Sequence, residues 1–154
     1  MTTSNLTQDA AQQTAEAVRT GMYANDHAVR ALGMTVDAIG PGHATVTMTV
    51  RPDMVNGLAI CHGGLIATLA DTAFAYACNA CNEMTVASGF AIDLLAPGRQ
   101  GDVLSARAQE VQQAGRTGVY DVEVCNQRGE RIAVFRGRSY RMKGRAVVAL
   151  PPTA

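Results

Sequence analysis

The chain has 154 residues, no net charge, 17% charged and 47% hydrophobic side chains. That length suits one domain, and the neutral balance argues against nucleic acid or an anionic membrane as the main partner. So few charges leave a polar-poor surface for a small monomer, which favours a homo-oligomer. The start, MTTSNLTQDAAQQT, has neither the basic residues nor the apolar run of a signal peptide. No apolar stretch approaches the length of a transmembrane helix, so the expected location is the cytoplasm.

In chain order, residues 1–8 are expected to be disordered. Helices follow over 9–21, with Asp9 as a cap, and over 26–32. A first strand over 34–40 ends at the turn Gly40-Pro41-Gly42. Residues 43–51 alternate strictly, with Val46, Met48 and Val50 on one face and Thr45, Thr47 and Thr49 on the other, as in a half-buried strand. A loop over 52–61 leads into a long helix that opens on His62-Gly63-Gly64 and reaches about Cys81. Four strands come next, over 85–95, 102–111, 117–126 and 131–142. In the third, Tyr120, Val122 and Val124 oppose Val119, Asp121 and Glu123. In the fourth, Arg136, Arg138 and Tyr140 oppose Phe135, Gly137 and Ser139. Strands following one long helix predict an α+β domain over 9–143, an antiparallel sheet wrapped around that helix. Residues 144–154 are expected to form a flexible tail, since Pro151-Pro152 cannot continue a strand.

The long helix carries the chemistry. Leu65, Ile66, Leu69, Ala70, Ala73, Phe74 and Ala77 recur at helical spacing as its core stripe. The opposite face has Gly64, Thr68, Asp71, Ala75 and Cys78, with no Lys, Arg or Glu anywhere in the segment. A helix that is small or apolar all round is buried all round, so this face is expected to lie against something. Asp71 goes with it, although burying a charge is costly without a partner or a task. The glycine pair at the helix start lets another molecule approach the backbone, and the N–H groups there suit a carbonyl oxygen or an anion. Tight packing against the sheet is the plainer reading of those glycines. Asp71 lies two turns, roughly 10 Å, beyond Gly64. The two can meet on one carbonyl only if a second copy of the helix runs antiparallel against this face. The plainer role for Asp71 is a structural hydrogen bond at the interface.

Asn56 either positions water or the carboxylate, or serves as a turn residue before Gly57. His62 is a general base, or else a helix cap or supporting residue. His27 and His43 are assigned nothing. Cys78 and Cys81 form a CxxC inside the helix rather than at its start. They lack the dipole that activates a redox pair and a second ligand pair for zinc, so buried inert thiols are expected. Arg136, Arg138, Arg141, Lys143 and Arg145 gather positive charge that either holds phosphates or is simply solvated. Met48, Met54 and Met84 line an aromatic-sized pocket or belong to the core.

The run NGLAICHGGLIATLADTAFAYACN, residues 56–79, resembles the active-site region of hotdog-fold acyl-CoA thioesterases. ADTAFAYACN, TGVYDVEVCNQ and FRGRSYR extend the resemblance to the phenylacetic-acid-degradation branch, over about residues 26–143. It implies a six-stranded antiparallel sheet around the helix and a dimer with a continuous sheet, with two dimers forming a tetramer. It implies hydrolysis of phenylacetyl-CoA or its hydroxylated relatives. The Gly64 amide would bind the thioester carbonyl, and Asp71 of the neighbouring subunit would act as base or nucleophile. Asn56 and His62 would support them. Gly63, Thr68, Arg136 and Arg138 are the expected substrate contacts. Coenzyme A is then part of the substrate, and neither a cofactor nor a metal is expected. Two alternatives stand beside this reading. A hotdog dehydratase or hydratase would need the Asp-x4-His pair, which the chain lacks. A non-catalytic acyl-CoA sensor would gain little from a buried Asp71.

Overall fold

The computed structural model describes residues 3–150. Helix α1 spans Thr3–Asn25 and α2 spans His27–Ala31, capped by Asp26, whose Oδ1 accepts from the Val29 N–H at 3.2 Å. Strands β1 (Thr35–Gly40) and β2 (His43–Thr49) precede the long helix α3 (Gly63–Asn79). Strands β3 (Thr85–Leu94), β4 (Val103–Ala114), β5 (Thr117–Cys125) and β6 (Arg131–Arg141) follow. The six strands form one antiparallel sheet in the order β1-β2-β4-β5-β6-β3. The sheet wraps around α3, which touches every strand.

The alternation read from the sequence sets the inner face. Ala44, Val46 and Met48 of β2, Leu104, Ala106 and Ala108 of β4, and Tyr120, Val122 and Val124 of β5 are all buried. They meet Ile66, Leu69, Ala70, Ala73, Phe74 and Ala77 of α3 in one core. Phe74 is the centre of it, 5.4 Å from the Tyr120 ring and 5.9 Å from the Phe135 ring. Gly137 of β6 makes room: a Cβ there would stand 2.9 Å from the Phe74 ring.

Two expectations change. The first helix begins at Thr3, so residues 3–8 are helical rather than disordered, and residues 1–2 lie outside the described ones. No Gly or Pro interrupts residues 3–20, and burial of Ala15 and Val18 anchors the helix, which then propagates outward at little cost. Secondly, the tail is held as far as Val148. Asn82, in a left-handed conformation with φ 58°, accepts from the N–H groups of Val147 and Val148 at 3.0 and 2.9 Å and donates to the Val148 carbonyl at 3.0 Å. Residues 151–154 lie outside the described ones. The back face of α3 is open within one chain: Gly64 is exposed, and Thr68, Asp71 and Ala75 are half-buried.

The two sheet edges differ. Along β1, side chains of α1 occupy backbone carbonyls: Gln12 donates to Ile39 at 2.7 Å, Arg19 to Val36 at 3.3 Å, and Tyr23 to Met34, just before the strand, at 3.1 Å. Along β3 nothing in the described chain covers the edge, and Val86, Phe90 and Leu94 are exposed. No helix among the described residues is long and apolar enough to cross a membrane. The Phe74–Gly137 contact gives a stability prediction. Gly137→Ala overpacks the core and is expected to cost about 1–3 kcal/mol, read as a lower denaturation midpoint with an unchanged denaturant slope.

Candidate active site

The site grows from the loop that delivers the chain to α3. A 3-10 turn at Pro52–Met54 leads to a bridge between Val55 and Cys61, which closes residues 56–60 into a small loop. The Asn56 N–H donates to the Ile60 carbonyl at 2.8 Å, and the Ala59 N–H to the Asn56 carbonyl at 3.0 Å. Asn56 Oδ1 accepts from the N–H groups of Leu58 and Ile60 at 2.9 and 3.4 Å. The turn role of Asn56 is therefore filled by its oxygen, while its amide nitrogen is not engaged by these bonds. The Cys61 N–H to Gly98 (2.8 Å) and the His62 N–H to Met54 (2.9 Å) fix the entry to the helix.

His62 is extended (φ −61°, ψ 127°) and caps α3. Its Nδ1 accepts from the Gly64 N–H at 3.1 Å, so the neutral ring carries its proton on Nε2. The cap reading of His62 holds, and it corrects the reading of Gly64. That amide is engaged by the imidazole, whereas the Gly63 N–H has no acceptor among the described residues. Gly63 therefore supplies the open donor at the positive end of the helix. Leu94 of β3 reaches over Gly63, a neighbour that the sequence did not signal because it depends on the β3–β6 register.

Asp71 sits two turns further along. Its Oδ1 is buried with no hydrogen-bond partner in the chain, and burial raises its carboxyl pKa above the ordinary 3.8. Thr68, on the same face, donates to the Gly64 carbonyl at 2.8 Å. Gly63 and Asp71 are eight residues apart on one helix, roughly 12 Å of rise, so one chain does not bring its own donor and carboxylate together.

Arg136 and Arg138 lie on the outer face of β6, away from α3, and differ from each other. Arg136 forms a two-pronged ion pair with Asp121, its partner across β5, at 2.6 and 2.7 Å. Arg138 has no ion-pair partner among the described residues and extends over Gly89 beside the open β3 edge. All four cysteines are free. Burial pushes the Cys78 thiol up to about 12, which keeps it protonated and inert at neutral pH. Among the described residues, no three His, Cys, Asp or Glu side chains gather where they could hold a metal. Met48 and Met54 are core residues.

The cap is open to a direct test. His62→Ala is expected to lose about 1 kcal/mol of stability, and His62→Asn, itself a good cap, to keep most of it, as read by chemical denaturation.

The thioesterase superfamily model matches residues 58–133. The acyl-coenzyme A thioesterase PaaI of Escherichia coli (strain K12) is 50% identical over 123 residues, which is 80% of this chain and 88% of that protein. The structure of the E. coli PaaI protein from the phenylacetic acid degradation operon superposes with a TM-score of 0.85 at 47% identity, over 87% of this chain and 97% of that one. A mutant structure of the phenylacetic acid degradation protein PaaI from Thermus thermophilus gives 0.73 at 38% identity, over 76% and 100%. A hypothetical thioesterase protein from Streptococcus pneumoniae TIGR4, solved with coenzyme A, gives 0.70 at 26%, over 73% and 88%. Matched in sequence and in fold by these relatives, the chain belongs to the thioesterase superfamily and is a thioester hydrolase of the hotdog fold.

Proposed function

We propose that this chain hydrolyses acyl-CoA thioesters, phenylacetyl-CoA and its hydroxylated relatives foremost, within a homodimer whose two α3 helices run antiparallel. One observation carries the reading. The helix that leaves the Gly63 N–H without an acceptor also carries Asp71, whose buried oxygen has no partner. Each half is costly alone and useful together. A second copy related by a two-fold axis would place the Asp71 of one protomer near the Gly63 of the other. The small side chains along the back face of α3 permit that approach, and the uncovered β3 edge offers a second chain backbone pairing along the sheet. Two such dimers would make a tetramer. The relatives support the substrate class: the E. coli protein is an acyl-CoA thioesterase, and the pneumococcal structure holds coenzyme A.

The chemistry follows from the groups. The thioester carbonyl oxygen accepts from the Gly63 N–H, which stabilises the negative charge that develops as the carbonyl carbon becomes tetrahedral. Asp71 takes a proton from the attacking water, or attacks the carbon itself; both routes need the carboxylate in the same place. Collapse breaks the carbon–sulfur bond, and the thiolate leaves to take up a proton as free CoA; on the direct-attack route water then hydrolyses the acyl–Asp71 anhydride, which frees the acid and restores the carboxylate. Arg138, the arginine on β6 without an ion pair, is suited to a CoA phosphate, and the neutralised Arg136 is not.

Asp71→Asn is expected to lower thiol release from phenylacetyl-CoA by at least ~10²-fold. The same substitution is expected to raise the melting temperature at neutral pH. A carboxyl whose folded pKa is raised contributes stability only when protonated, and that contribution is lost as pH rises through the folded value. The neutral amide avoids the loss. Gly63→Pro removes one N–H at the first helical position, which proline favours and where the extended His62 already satisfies the residue before it; its Cβ, 2.6 Å from Leu94 Cδ1, only requires the exposed tip of Leu94 to swing aside. Turnover is expected to fall ~10²–10³-fold, with the fold kept by circular dichroism. In the same thiol-release assay, Arg138→Ala is expected to raise KM roughly 3- to 10-fold, with Arg136→Ala unchanged. Full activity in Asp71→Asn would overturn the proposal.

A further inference from the structure

Leu58 is 79% exposed, the most exposed large hydrophobic side chain among the described residues. A mobile loop could carry such a residue without meaning, but this loop is stitched shut. The Val55–Cys61 bridge closes its base, and four hydrogen bonds made by Asn56 to Leu58, Ala59 and Ile60 close its interior. Its last turn forces Ala59 into the left-handed region at φ 59°, where an alanine is disfavoured and a glycine is not. Local strain held in place by surrounding bonds points to a side chain being displayed for a purpose. What is displayed is Leu58. The tip stands only three residues from Cys61, at most about 10 Å of chain, and Cys61 directly precedes the cap and the open Gly63 N–H.

We infer that Leu58 is a substrate-positioning residue: it covers the apolar chain attached to the thioester whose carbonyl sits on the Gly63 N–H. The inference rests on the acyl-CoA reading above. A thioester carries apolar carbon on both sides, the acyl group on one and the methylenes of the amide-containing thiol arm of coenzyme A on the other, and a leucine can pack against either. Covering that chain removes the Leu58 side chain from water. The loop's strain then has a use, since a rigid finger loses less conformational freedom on binding than a floppy one.

The experiment compares wild type, Leu58→Met and Leu58→Ser in thiol release from phenylacetyl-CoA and from the N-acetylcysteamine thioester of phenylacetate, with light scattering on each protein. Leu58→Ser is expected to raise KM about tenfold with kcat changed much less, Leu58→Met to stay within twofold, and the oligomer to stay the same size. If the rise persists on the truncated thioester, Leu58 covers the acyl group or the two-carbon stub beside the sulfur; if it appears only with the full CoA ester, Leu58 covers the thiol arm beyond that stub. Unchanged KM in Leu58→Ser on both substrates overturns the inference, and so does a smaller oligomer, which would make Leu58 a contact between protomers. A thioesterase whose turnover depends on Asp71 but ignores Leu58 sinks this inference alone, whereas loss of Asp71 dependence removes both.

Discussion

The rest of the site depends on a helix that has to keep one end open. An α-helix begins with four N–H groups that its own carbonyls cannot reach, and most helices quench them with a side chain, solvent or a neighbouring strand. In α3 the quenching is selective. The His62 ring takes the Gly64 N–H and the His62 carbonyl takes Leu65 at 2.9 Å, so the chain satisfies these groups and leaves Gly63. A serine or aspartate cap would serve the helix equally well. The imidazole adds bulk, a rigid plane and a second nitrogen turned away from the amide it caps. Because the loop before it is fastened at Val55–Cys61, at His62–Met54 and at Cys61–Gly98, the direction of the free N–H is fixed before any substrate arrives. Preorganisation of that kind is where an oxyanion donor gains most of its effect.

The edges of the sheet obey the same logic of unsatisfied groups. A sheet of six strands has two edges, and each is a template for another chain. On the β1 side α1 commits three polar side chains, Gln12, Arg19 and Tyr23, to carbonyls of β1 and of Met34 just before it. On the β3 side the described chain commits none, and the exposed side chains there are Val86, Phe90 and Leu94. With one edge covered and the other open, the proposed dimer would pair through β3 rather than through β1. Leu94 ties this edge to the helix start, since it is the side chain lying over Gly63. A second chain added along β3 would therefore be felt at the amide that the proposed chemistry uses.

How much of this was legible in the sequence depends on the range of the interaction concerned. Strict alternation in β2 and β5 and the 3.6-residue stripe in α3 are local, and Val46, Met48, Tyr120, Val122, Leu69 and Phe74 all face the core as their spacing requires. The misfit of Asp71 was legible for the same reason. Three things were not. The span of α1 was set by packing of Ala15 and Val18 rather than by a sequence signal at Thr3. The tail was held by Asn82, whose bonds cross more than sixty positions of chain. The two arginines of β6 look alike in sequence, and only the register that sets Asp121 opposite Arg136 and Val119 opposite Arg138 tells them apart. The glycine pair shows the limit most sharply. Both residues offer an N–H, and the choice between them turned on where one imidazole nitrogen points.

Asp71, Gly63 and Ala59 each weaken the folded chain. The first is a carboxylate that burial disfavours in its charged form, the second a glycine in a helix, the third an alanine in a left-handed turn. They fall within one short stretch of sequence, and the helix that carries two of them is, among the described residues, the one element that touches every strand. That placement is physically coherent. A helix whose other face is locked by Leu69, Ala73 and Phe74 into a continuous core keeps its position when one side is made unfavourable, because moving it would disturb all six strands at once. A peripheral helix such as α2, five residues long, has no comparable anchorage and would shift or fray to relieve the same strain. The stability of the core is thus what allows a costly carboxylate and an unquenched amide to stay where the proposed chemistry would use them.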